Sequence, residues 1–292
     1  MDDPPRSRPL SPAAPDDAAP VRLAIPDRLD ASLVLVRHGE SEMIVQRRFQ
    51  GRRETALSDI GRRQAERVAA RLARPHDPPA LPVPDGRPIA IVHSPLRRAA
   101  DTAAAIERAL REEAANGSSV VLARADGRFA EIGQGDWEGR LATDIEERDG
   151  ERLAAWRRRP TETWAPGGES LVEVHARVAQ GLAAVLDELA VAGEPGSLMT
   201  PQVSGYGDGP PHHPWTILVG HDGTFKVALL ALFDLPLGRF WMWSSDLGGI
   251  SIVEFRAGRP VIRAMNLTEH LAGLLDEQVL KETEERSRSG AL

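Results

Sequence analysis

Apolar residues in this chain collect in a few short unbroken runs, separated by longer stretches with helical spacing. Leu33-Val34-Leu35-Val36 stops at Arg37-His38-Gly39, the run from Ile89 stops at His93-Ser94-Pro95-Leu96-Arg97-Arg98, and Thr216 to Gly220 stops at His221-Asp222-Gly223. A run that is apolar at every position suits a strand covered on both faces. Between the runs, Ser58 to Arg74 reads as a helix capped by Ser58, with Ala65, Val68, Ala69 and Leu72 on one face. Further helices are expected at Asp101–Ala115, Thr143–Arg158 and Ser170–Ala192. Val120 to Leu122 suggests a short strand, and Gly249–Phe255 with Pro260–Met265 suggests a hairpin around Ala257-Gly258. Alternating strands and helices predict an α/β fold, a three-layer α/β/α sandwich with a mixed, largely parallel sheet. Right-handed crossovers then bring the carboxyl ends of the first three strands to one edge.

The flanks carry less pattern. Residues 1–30 hold seven prolines, scattered charges and no apolar period, and are expected to form a mobile extension. It lacks the apolar core of a signal peptide. The remainder reads as one catalytic domain over 31–270, with a Gly- and Pro-rich surface insertion at 193–214 expected to overhang the pocket rim, then a C-terminal helix and frayed tail over 271–292.

Composition narrows the chemistry. A chain of 292 residues is long enough for one large core. Without cysteine there are no disulfides, thiolate nucleophiles or Cys-based zinc sites. The net charge of −7 speaks against a general nucleic-acid binder, and no apolar run approaches the length of a membrane span. A cytoplasmic setting is therefore expected. Trp241 and Trp243 are assigned to the core or to a subunit contact, which leaves a homodimer open.

Chemistry concentrates where the strands stop. An arginine fork and an imidazole at a strand end place a phosphate beside a nucleophile or general base, and the crevice outside strand ends is where open α/β sheets bind ligands. The glycine-rich loop Glu131-Ile-Gly-Gln-Gly-Asp-Trp-Glu-Gly139 adds one early carboxylate. A phosphate monoester dianion repels anionic attack, so a site acting on it must neutralise the oxygens and present a nucleophile in line with the leaving group.

These segments, in this order, resemble the histidine phosphatase superfamily, the phosphoglycerate-mutase-like enzymes. The resemblance rests on Arg37-His-Gly-Glu-Ser41, Phe49-Gln-Gly51, Ala56-Leu-Ser58, Ser94-Pro-Leu-Arg-Arg-Ala99, Trp137-Glu-Gly139, Pro166-Gly-Gly-Glu-Ser170 and Gly220-His-Asp-Gly223. It implies that His38 is the nucleophile that becomes phosphohistidine and that Glu131 is the proton donor to the leaving group. Arg37, Arg98 and a protonated His221 would hold the phosphoryl oxygens. Arg98 is preferred to Arg97, and Glu131 to Glu138. Ser41, Gln50 and Gly51 are candidate substrate contacts, with Ser41 also a candidate turn cap. No metal or cofactor is called for, and the expected partner is a small phosphorylated metabolite.

Two positions depart from the family pattern. Ile44 stands where an asparagine often contacts phosphate, and Asp222 stands where glycine is common, either sustaining a charged His221 or capping a helix. A phosphatase is the favoured activity. A phosphomutase is the first alternative, and the resemblance to it is weaker because the Glu-Arg-His-Tyr-Gly typical of mutases is replaced by Glu131-Ile-Gly-Gln-Gly135. A non-catalytic phosphate-binding protein is the second.

Overall fold

A computed structural model describes residues 22–114, 121–193 and 213–274. The strands are β1 (Ala31–Arg37), β2 (Ala90–His93), β3 (Ala123–Ala125), β4 (Trp215–Gly220), β5 (Ile250–Arg256) and β6 (Arg259–Leu267). They form one sheet in the order β3-β2-β4-β1-β5-β6. β3, β2, β4 and β1 pair in parallel, while β5 runs antiparallel to β1 and β6 antiparallel to β5. The helices are α1 (Glu42–Val45), α2 (Asp59–Ala73), α3 (Arg97–Glu112), α4 (Ala142–Arg158), α5 (Leu171–Ala192) and α6 (Asp222–Leu232).

Strand side chains alternate between two cores. Val34, Val36, Ile91, Ile217 and Val219 pack with α2 and α3. Leu33, Leu35, Val92 and Leu218 pack with α4, α5 and α6 on the opposite face. Both faces are covered, which explains why Leu33–Val36 of β1 and Ile217–Val219 of β4 are apolar without a break. This is the three-layer architecture read from the pattern. Local signals set the helix starts: Ser58 accepts from the Gly61 N–H, and Ser170 with Glu173 forms a reciprocal capping box, a device typically worth about 1 kcal/mol.

Several expectations shift. Helix α3 begins at Arg97 rather than Asp101, so Arg98 lies in a first helical turn. The strand expected at Val120–Leu122 forms instead at Ala123–Ala125, where the main chain pairs with β2. After β6 comes only a short 3-10 turn, Glu269–Leu271, and the expected C-terminal helix otherwise falls outside the described residues.

The extension has a different boundary from the one expected at Asp30. Leu23 and Leu29 are buried in the larger core, the Gly258 N–H donates to the Leu29 carbonyl, and the Ala257 N–H donates to Asp30. Residues 22–30 thus belong to the folded body; residues 1–21 lie outside the described residues. Most of the 193–214 insertion is also outside them. Its anchors are described: Gly193 ends α5 beside Pro214, and His213 bonds Ser32 Oγ at 3.1 Å, at the end of β1 and β4 remote from His38 and His221. Those anchors lend no support to an overhang above the pocket, and His213 is half-buried rather than solvent-exposed.

Candidate active site

The carboxyl ends of β1, β2 and β4 adjoin in the sheet, so His38, Ser94 and His221 meet at one edge. The His38 and His221 rings stand edge to face, with centroids 5.0 Å apart. Close backbone packing holds the first of these ends. A Cβ at Gly39 would sit 2.3 Å from the Gly61 carbonyl, and one at Gly61 would sit 1.8 Å from the Glu40 carbonyl. Gly39 thus permits the close approach of α2 to the loop that follows β1.

Hydrogen bonding assigns the tautomer of His38. Its Nδ1 lies 2.6 Å from the Gly39 carbonyl, which can only accept, so Nδ1 carries the proton and Nε2 keeps a lone pair. Arg98 Nε donates to that Nε2 at 3.2 Å. Burial, then the charges of Arg98 and Arg37, hold the imidazole pKa well below its ordinary value of 6.5. His38 is therefore neutral near pH 7, with the lone pair on Nε2.

Arg98 is a buried charge held without an ion pair. Its guanidinium, only 1% exposed, is held by main-chain carbonyls: Nη2 donates to Gly51 at 2.8 Å and Nη1 to Arg53 at 3.1 Å. Burial lowers its pKa to about 10, opposed by the more distant Glu131 and Glu54. Among the described residues no carboxylate forms an ion pair with it. A buried cation ringed by carbonyls is stable only with an anion nearby.

Two further buried donors lack partners. Arg37 places one guanidinium nitrogen on the Ser245 carbonyl, leaving its Nε unpaired. His221 Nε2 lies 2.7 Å from Ser94 Oγ, which also accepts from the Leu96 N–H, while His221 Nδ1 has no partner. If the Ser94 hydroxyl donates to Nε2, Nδ1–H is the free donor. The structure corrects the expectation of a charged His221: complete burial first, then Arg98, drive its pKa well below the ordinary value.

Asp222 does not sustain that charge. It opens α6, where Lys226 Nζ donates to its Oδ2 at 2.5 Å and the Ser245 N–H to its Oδ1 at 2.9 Å. Because Ser245 in turn receives Arg37, Asp222 fixes the segment on which Arg37 rests.

Glu131 is 6% exposed and lies against the start of α6. Its Oε1 accepts from the Ile132 N–H at 2.9 Å and the Thr224 N–H at 3.1 Å, and its Oε2 from the Gly223 N–H at 3.4 Å. Glu138 instead accepts from the Arg52 and Gln134 N–H groups, a loop-holding role.

The remaining candidates are tied into the loops around the site. Ser41 caps α1, and its hydroxyl donates to Gln50 Oε1 at 2.6 Å. Gly51 contributes the carbonyl that holds Arg98 and adopts a left-handed φ of 50°. Ile44 is buried. Ser94, Ser245 and Thr224 were not singled out from sequence, because hydroxyls and main-chain groups earn their place only through tertiary contacts.

A family profile described as the histidine phosphatase superfamily (branch 1) matches residues 33–192 and 207–268. The chain belongs to that superfamily. It is 36% identical over 222 residues to glucosyl-3-phosphoglycerate phosphatase of Mycobacterium tuberculosis, covering 75% of this chain and 82% of that protein. It is 30% identical over 240 residues to phosphoserine phosphatase 1 of Hydrogenobacter thermophilus, covering 82% and 93%. A bifunctional protein of Mycobacterium tuberculosis is 32% identical over 240 residues, but this chain spans only 54% of its length. Among solved structures, the mycobacterial glucosyl-3-phosphoglycerate phosphatase superposes with a TM-score of 0.61 at 30% identity, covering 81% of this chain and 99% of that one.

Proposed function

We propose that this chain is a phosphomonoester hydrolase that acts on a small phosphorylated metabolite through a phosphohistidine at His38. The observation that supports this most is the buried Arg98 guanidinium, held by carbonyls without an ion pair and donating to the His38 lone pair. An arriving phosphoryl group offers Arg98 an anion and releases Nε2 for attack. Arg37 Nε and the free nitrogen of His221 supply further donors to the oxygens. His38 Nε2 attacks phosphorus, the ester P–O bond breaks, and Glu131 gives its proton to the departing oxygen. Water then attacks the phosphohistidine with Glu131 taking its proton, the P–N bond breaks, and phosphate leaves with His38 restored.

The charge neutralisation comes from side chains already in place, so we propose a metal-independent reaction in a cytoplasmic setting. The relatives direct the first choice of substrates: glucosyl-3-phosphoglycerate and phosphoserine. Measuring phosphate release and phosphoryl migration separately on these esters, with chelator present, tests the reading. Release without migration, lost in His38→Ala, is expected. Migration without release would make the chain a mutase, and binding without turnover a non-catalytic receptor.

A further inference from the structure

The proton donor has to be held in register with the nucleophile, yet Glu131 sits on an irregular loop between a 3-10 turn at Gly127–Phe129 and another at Gly135–Trp137. One buried fork spans that loop. Arg177, on α5, donates Nη1 to the carbonyls of Arg128 at 2.8 Å and Ala130 at 2.7 Å, and Nη2 to the carbonyl of Glu131 itself at 3.1 Å. Its side chain is 15% exposed.

Glu169 sets the direction of the fork. Its carboxylate accepts Arg177 Nε and Nη2, both at 3.0 Å, and the Gly133 N–H at 2.8 Å, while its own N–H donates to the Gly133 carbonyl. Burial works against its charge, but the bonds from Arg177 prevail and its pKa falls below the ordinary value. Arg52 completes the arrangement. It donates to Glu169 Oε1 at 2.6 Å and to the Glu131 carbonyl at 3.2 Å, and it directly follows Gly51, whose carbonyl grips Arg98. The acid loop and the phosphate loop are thereby tied to one carboxylate.

We infer that Arg177, oriented by Glu169, is a positioning residue for the proton donor, acting on the main chain of Glu131 rather than on substrate. This rests on Glu131 being the acid of the proposed reaction. A lysine keeps the charge at 177 but cannot reproduce a fork that serves three carbonyls and a carboxylate. The consequence falls on the step that needs the proton, so it depends on the leaving group.

The test compares kcat/KM for phosphoserine and for p-nitrophenyl phosphate, whose leaving group needs little protonation, in the wild type, Arg177→Lys, Glu169→Gln and Glu131→Gln. Arg177→Lys should lower the phosphoserine value at least tenfold more than the p-nitrophenyl phosphate value, and Glu169→Gln should follow with a smaller loss of the same kind. Thermal melting of each variant checks folding, and if Arg177→Lys fails to fold, Glu169→Gln decides on the same ratio. Equal losses on both esters, or no loss, would overturn the inference while leaving the phosphatase reading intact, provided Glu131→Gln shows the leaving-group dependence. If Glu131→Gln shows none, the acid assignment and this inference fall together.

Discussion

Arg98 Nε donates to His38 Nε2 across 3.2 Å, so a buried guanidinium is directed at the imidazole lone pair. Replacing Arg98 with alanine removes a donor to phosphate and one of the charges that oppose protonation of His38. A loss of about 100- to 1,000-fold in kcat is expected, the range for one preorganised donor. In histidine side-chain NMR, wild-type His38 should titrate below 6.5 and move upward in Arg98→Ala. A downward move would contradict the electrostatic account.

Acid should weaken the fold through its buried histidines. His38, His175, His213, His221 and His270 all have pKa values lowered, in each case first by burial. The unfolded chain takes up protons at about 6.5 while the folded chain resists. Stability is thus full above that pH and lost as pH falls toward the folded values, at up to about 1.4 kcal/mol per pH unit for each group. Urea unfolding between pH 7.5 and 5.5 should show the decline; constant stability would refute it.

The pair Asp222–Lys226 is buried at both ends, with the ammonium 4.9 Å from the Trp241 ring centroid. Lys226→Met leaves Asp222 without its counter-charge and should cost about 3–5 kcal/mol. The double change Asp222→Asn with Lys226→Met should recover part of that loss in urea titration. Additive losses would show that the pair is not a unit.

Leu29, 2% exposed in the larger core, makes the segment before β1 part of the fold. Leu29→Ala should cost about 2–5 kcal/mol. Removing residues 2–21 should leave the melting temperature nearly unchanged, whereas extending the deletion to residue 30 should lower it markedly. Equal melting of the two truncations would return residues 22–30 to the extension.

The differences between sequence reading and structure have physical causes. Strand ends bearing His38 and His221 stood out because a doubly covered strand is apolar until it reaches the site, and the motif around Arg98 located the third group. Leu23 and Leu29 were missed because two leucines among prolines make no period, and the main-chain partner of Leu29, Gly258, lies more than 200 residues away. The neutrality of His221 depends on complete burial, which residue type does not encode. Arg177 looks like any polar position on a helix until the fold sets three carbonyls before it.

Quenching the wild-type enzyme in base during turnover of a 32P-labelled phosphomonoester, and mapping the label, tests the central claim most directly. The phosphoryl group should be stable in base, lost in acid, and carried by the peptide containing His38, with none in His38→Ala. A labelled serine, aspartate or second histidine, or rapid turnover by His38→Ala, would contradict the assignment of His38 as nucleophile.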